Sequence, residues 1–216
     1  MKSEKTMQIH FISTAEIGSL NLGHHETIFL MPFTDPAQAK KSSALLAARA
    51  GAPGLLLCVY DQNLEGFISI ANRVYEKTQS TWFGYTAQDA FAGRNWLAIA
   101  LKVLDQKNGV LLGFNDGKWA GELAAFGLAQ RAWASLNYGG PLFFPEYERH
   151  YADVELSLLA QACDRYVYDA NSVMVEIDWE KETKATNIND KKKFQSRKQQ
   201  HFDHRDISNV LLHKFS

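Results

Sequence analysis

Residues 80–104 read STWFGYTAQDAFAGRNWLAIALKVL, an aromatic run that ends in one carboxylate and then turns into an amphipathic helix. Thr81, Trp82, Phe83, Tyr85 and Thr86 are aromatic or β-branched, which favours a strand, and Gly84 among them marks close backbone approach on one face. Asp89 follows the carboxyl end of that strand. After the turn Ala92-Gly93-Arg94, Asn95 is placed to cap a helix whose Trp96, Leu97, Ala100, Leu101 and Leu104 recur at helical spacing, with Gly109 closing it. Strand, acidic loop and helix is the local pattern of an open α/β sheet, where ligands collect beyond the carboxyl ends of the strands. Position alone makes Asp89 a site candidate. The plain alternative is a turn aspartate bonded to its own backbone.

Two apolar runs upstream extend the pattern. TIFLMPF, 27–33, is apolar on both faces, as a central strand of a covered sheet is, and Thr34-Asp35-Pro36 ends it. Helix formers over 37–50 stop at Gly51-Ala52-Pro53-Gly54, and a second strand, LLLCVY at 55–60, ends in Asp61. A helix over 64–77 puts Phe67, Ile70, Ala71 and Val74 on one face. Right-handed helical crossovers place the carboxyl ends of all three strands on one rim, so Asp35, Asp61 and Asp89 are expected to share it. Such a set suits a phosphate-bearing ligand with a cation, or recognition of a base and ribose. Neither GxGxxG nor GxxxxGKS/T occurs, which argues against a dinucleotide dehydrogenase and a P-loop nucleotidase.

With 216 residues, 46% hydrophobic and 22% charged, the chain has enough for one soluble core and a remainder. A formal charge of -1 offers no basic field for nucleic acid. No apolar run approaches the roughly 20 residues that span a bilayer, and MKSEKTMQIHF lacks a signal peptide's apolar core, so a cytoplasmic location is expected. Cys58 and Cys163 read as buried free thiols. Residues 1–26 form an N-terminal extension or edge element: Ile9, Phe11 and Ile12 suggest a short strand, and Gly18, Gly23, His24 and His25 a loop.

Downstream, 110–114 reads as a strand, Asn115-Asp116-Gly117 as a turn, and 123–136 as either helix or strand. The aromatic loop 137–147 lines a cleft or joins the core. Asp153 and Glu155 then open a helix, where acids suit the helix dipole; the functional reading makes one a general base. Residues two apart do not share a helical face, so one of the pair is expected at the chemistry, the other turned away to support the loop. Residues 165–175 suggest two short strands around Asp169-Ala170-Asn171. From Glu180 the chain turns polar, with Lys191-Lys192-Lys193, and reads as an extension outside the main core. The lysine run is a solvated helix or, on the sharper reading, touches anionic lipid or nucleotide phosphates.

Taken in order, the strand ending in Asp61, the strand ending in AQDAFAGRNWL, and YADVELSLLA followed by YVYDANSVMVEIDW resemble a bacterial family 2 glycosyltransferase of the GT-A fold over residues 27–180. The resemblance implies a Rossmann-like α/β domain, a mostly parallel central sheet with helices on both faces, with the polar extension at 181–216. It implies an enzyme of polysaccharide biosynthesis that moves a sugar, with inversion, from a nucleotide-diphosphate sugar to a glycan or lipid-linked acceptor. In that likeness Asp153 is the catalytic base and Glu155 its support; Thr34, Asp35, Asp61 and Gln88 meet the nucleotide. Arg94, Asn115 and Asp116 touch sugar or diphosphate. Asp89, matching the last acid of a D-x-D motif, holds Mn²⁺ or Mg²⁺ with help from His150. Ala87 and Gln88 replace the motif's earlier acids, and Glu176 or Asp178 stands where many relatives place a late metal-binding histidine. Peripheral contact with the inner face of a membrane would run through the lysines. Two other readings stay open: a sugar-nucleotide nucleotidyltransferase, and a non-catalytic nucleotide-sugar-binding or interaction protein on the same fold.

Overall fold

The computed structural model describes residues 6–176 and 187–215. Eight strands make one mixed sheet: β1 (Met7–Ser13), β2 (His24–Phe33), β3 (Gly54–Tyr60), β4 (Gln79–Tyr85), β5 (Ala90–Ala92), β6 (Leu111–Asn115), β7 (Gly127–Gln130) and β8 (Tyr166–Glu176). Their spatial order is β1-β3-β2-β4-β7-β6-β8-β5. The helices are α1 (Pro36–Arg49), α2 (Phe67–Lys77), α3 (Trp96–Gln106), α4 (Arg131–Ala134), α5 (Ala152–Ala162), α6 (Ile188–Gln199), α7 (His201–His204) and α8 (Asn209–His213).

β1, β3, β2 and β4 are mutually parallel, and β6 is parallel to β8; β7 runs antiparallel between β4 and β6, and β5 antiparallel to β8. The carboxyl ends of β2, β3 and β4 therefore lie on one rim, as their sequence order requires. Because successive side chains point to opposite faces, β2 and β3 feed two cores. Ile28, Leu30, Leu55 and Leu57 pack with α2, α5 and α6 on one face; Phe29, Met31, Leu56 and Cys58 pack with α1 and α3 on the other.

Gly84 is where β4 must lack a side chain. It pairs with Phe29, whose ring lies so close that a Cβ at Gly84 would sit 2.0 Å from it. That ring continues into Trp96 and Phe114, at centroid distances of 4.8 and 5.7 Å, and the Trp96 indole donates to the Leu46 carbonyl at 2.9 Å.

Several local readings are corrected. Asn95 precedes α3 in the left-handed region (φ 58) and its side chain caps nothing; the Ala50 carbonyl instead accepts from Leu97 and Ala98 at 3.2 and 3.0 Å. The helix ends with Asn108 left-handed (φ 48) and Gly109 donating to Leu104 at 2.8 Å, a Schellman-type stop. His24 and His25 belong to β2, paired with Gln79 and Ser80, rather than to a loop. Residues 127–134 are both things, a strand and then a short helix. Residues 166–176 form one strand, not two, with its irregularity where pairing jumps from Gly113↔Tyr168 to Asn115↔Val173. Cys163 is exposed, whereas Cys58 is buried as expected.

The largest correction concerns the C-terminus. Residues 187–215 do not stand outside the core: Phe194, Phe202, Ile207 and Leu212 are buried in the same cluster as α2 and α5. No described helix is long and apolar enough to cross a membrane.

Candidate functional site

A cavity of about 560 Å³ opens beyond the carboxyl end of β4. Phe67, Tyr85, Phe143, Tyr151, Trp119 and Asp153 stand around it, together with Arg149 and His150. The aromatic loop thus serves both suggested purposes, since Leu142 and Phe143 are buried core residues and Phe143 also faces the cavity. Asn72 fixes this loop by exchanging two hydrogen bonds with the Phe143 backbone, at 3.0 and 2.8 Å. The opposite wall hangs on α5, because the buried Ser157 hydroxyl accepts from the Ala124 amide at 2.9 Å while donating to the Asp153 carbonyl at 2.6 Å.

Asp153 is half-buried on the first turn of α5. Burial pushes its carboxyl up to about 6; the backbone amides of Val154 and Asp153 oppose this, and the charge of Asp116 adds to it. Asp116 is itself buried, accepting from Lys118 and Trp119 at 2.9 and 2.8 Å. Tyr85 and Tyr166 are held well above the usual phenol range by burial, with the Asp153 charge contributing. A carboxylate that exchanges its proton near neutrality, inside an aromatic cavity, is suited to proton abstraction from a hydroxyl.

Glu155 points elsewhere, as helical spacing requires. It is fully buried, accepts from the Tyr147 hydroxyl at 2.8 Å, and takes a two-pronged ion pair from Arg197, whose Nε and Nη2 approach to 2.8 and 2.6 Å. Arg197 also pairs with Asp203 at 3.0 Å and lies 3.5 Å over the Phe144 ring.

The rim residues are engaged with the backbone. The Gln88 side-chain oxygen accepts from the amides of Thr34 and Asp35 at 2.8 and 3.0 Å, stitching the loop after β4 to the loop after β2. Asp35 caps α1 through Ala37 and Gln38, and Asp61 accepts from Glu65 and Gly66 at 2.8 and 3.0 Å. Asp61 also borders a second cavity, of about 690 Å³, with Asn72, Arg73 and Glu148; Arg149 lines both cavities. Asn115 donates to the Ala170 carbonyl at 2.9 Å, which ties it to the bulge in β8.

Of the sequence candidates, Asp153 and His150 line the first cavity and Asp61 the second. Arg94 sits beside the α3 start that docks on Ala50, in the loop feeding the amino end of β3, so it occupies the opposite rim. Across the seven residues of β3 that is roughly 20 Å of strand from Asp61. Asp89 is buried at the entry to β5 and is not among the residues around the cavity that His150 borders. Among the described residues no three histidine, cysteine or acidic side chains gather as a cation site. Glu176 pairs with Ala90 at the end of β8, and Asp178 lies outside the described residues. Arg149, Tyr151 and Trp119 carry no motif of their own; the first two flank His150 in the chain, and that adjacency is the signal available in sequence.

No protein-family model matches the chain, and no curated protein matches it in sequence. Solved structures match in fold. S. aureus TarS aligns with a TM-score of 0.64 at 10% identity over 87% of this chain, which spans 41% of TarS. TarS 1-349 in complex with UDP-GlcNAc gives 0.66 at 11% identity, covering 88% of this chain and 71% of that one. The mannosyltransferase PcManGT from Pyrobaculum calidifontis, in complex with GDP-Man and Mn²⁺, gives 0.55 at 12% identity, covering 89% and 69%. The mixed sheet with its two helical layers thus shares the Rossmann-like α/β fold of these proteins.

Proposed function

We propose that the chain is a glycosyltransferase that moves a sugar from a nucleotide-diphosphate sugar to an acceptor hydroxyl, with Asp153 as general base. The observation that carries this reading is the Asp153 carboxyl, raised to about 6 and facing an aromatic cavity at the end of β4. Similar folds hold UDP-GlcNAc in TarS and GDP-Man in PcManGT, which supports a nucleotide-sugar donor. Asp153 takes the acceptor proton; the oxygen attacks the anomeric carbon in line, and the bond to the nucleoside diphosphate breaks, so the configuration inverts. The aromatic wall suits the apolar face of an acceptor sugar. Mn²⁺ accompanies GDP-Man in PcManGT, whereas the described residues here gather no set of three histidine, cysteine or acidic ligands.

Thermal unfolding with UDP, GDP and other nucleoside diphosphates, with and without Mn²⁺ or Mg²⁺, tests the donor assignment. A ligand at 100 times its dissociation constant adds about 2.7 kcal/mol. A shift with one base, followed by turnover of the matching nucleotide sugar that Asp153→Asn abolishes, supports the reading. No shift with any nucleotide sinks it; binding without turnover leaves the non-catalytic alternative.

A further inference from the structure

The segment 148–155 that delivers Asp153 is strained, and it runs from exposed Glu148 to fully buried Glu155. Tyr151, a bulky aromatic, stands in the left-handed region with φ 69, where non-glycine residues persist only when their surroundings hold them. Those surroundings come from one helix. Asp190, 1% exposed, accepts from the amides of Glu148, Arg149 and His150 at 3.0, 2.8 and 2.9 Å. One turn on, the buried Phe194 ring stacks on Tyr151 with centroids 4.8 Å apart. Three residues further, Arg197 grips Glu155 through the two-pronged ion pair. Residues 190, 194 and 197 fall on one helical face, and their partners, residues 148–151 and 155, flank Asp153 on both sides in the chain.

We infer that α6 is a positioning element of the site, its face of Asp190, Phe194 and Arg197 holding residues 148–155 so that Asp153 faces the cavity. None of the three touches the reacting atoms; each acts through the segment. The inference rests on the glycosyltransferase reading for its kinetic consequence, but its structural consequence stands alone. Misplacing a catalytic group by about 1 Å costs on the order of 100-fold in rate, so small losses of grip are kinetically visible.

The test uses Asp190→Asn and Phe194→Leu in the full chain, with Gln199→Ala, on the exposed side of α6, as control. These avoid leaving Glu155 buried without its partner, which would unfold the chain. Two quantities are read well below each variant's melting temperature. The first is the Asp153 carboxyl titration by carbon NMR, expected to fall from about 6 towards the ordinary value as the segment loosens. The second is turnover per folded molecule, expected to drop at least 10-fold in kcat with donor KM within about twofold. A native chain that turns over no nucleotide sugar removes the transferase reading, yet the titration still judges the brace. Variants that lose only stability, with titration and kcat as in the native chain, overturn the inference.

Discussion

Replacing Asp153 by asparagine should make the protein more stable at alkaline pH and no more stable in acid, while abolishing transfer. The carboxyl is raised from 3.8 to about 6, chiefly by burial. At about 1.36 kcal/mol per unit, that shift is worth about 3 kcal/mol. The fold favours the protonated form, so this contribution is fully present below 3.8, the unfolded value, and is lost as pH rises through about 6. Above that, the native chain carries a buried charge that an asparagine of the same shape does not. For a chain of 216 residues each kcal/mol moves the melting temperature by about 2–4 °C, so Asp153→Asn should melt about 6–12 °C above the native protein near pH 8. The gap should close as the pH approaches 4. Urea denaturation of both proteins across this range measures the difference without relying on turnover. Equal stability at every pH would refute the argument, since it would mean that the cavity does not penalise the ionised carboxyl.

Gly84→Ala should destabilise the fold by more than 2 kcal/mol in chemical denaturation, because the new Cβ meets the Phe29 ring at 2.0 Å and overpacking of a filled core costs about 1–3 kcal/mol or more. A thiol reagent should label one cysteine of the native protein, the exposed Cys163, and both in urea, since burial pushes the Cys58 thiol up to about 12; mass spectrometry locates the label. Asp61→Ala removes the acceptors of the Glu65 and Gly66 amides and should cost about 1 kcal/mol of stability. Calorimetric titration of that variant with the nucleoside diphosphate then divides the roles: unchanged affinity makes Asp61 an anchor of its loop alone, and a tenfold loss makes it a nucleotide contact too.

The parallel half of the sheet was legible because β2 and β3 are apolar on both faces and are bounded by Pro, Gly and Asp, so pattern and punctuation agree. Asp153 and Glu155 could be sorted by helical spacing alone. What stayed hidden depended on partners distant in sequence. INDKKKFQSRKQ, 188–199, reads as a solvated helix, yet Asp190 and Arg197 are buried because their partners lie about 40 residues upstream. The place of Arg94 is hidden in sequence because the α3 start is set by the Ala50 carbonyl rather than by anything in the local run. Asp35 and Gln88 illustrate a limit of another kind: residue type and rim position suggest a ligand contact, and nothing in the local run announces that Gln88 accepts from the amide of Thr34 across the rim.

The place of β5 at the sheet edge sets a timetable for the chain as it is made. Ala90–Ala92 pairs with Met174–Glu176, so this strand emerges about 80 residues before its partner exists. At roughly 5–20 residues per second of synthesis, that interval is about 4–16 s. The sheet from β1 to β4 can close meanwhile, since every strand in it already has its neighbour. Phe91 and the bare edge beside it must wait, and any chaperone that attends the nascent chain has this short strand as its natural early client.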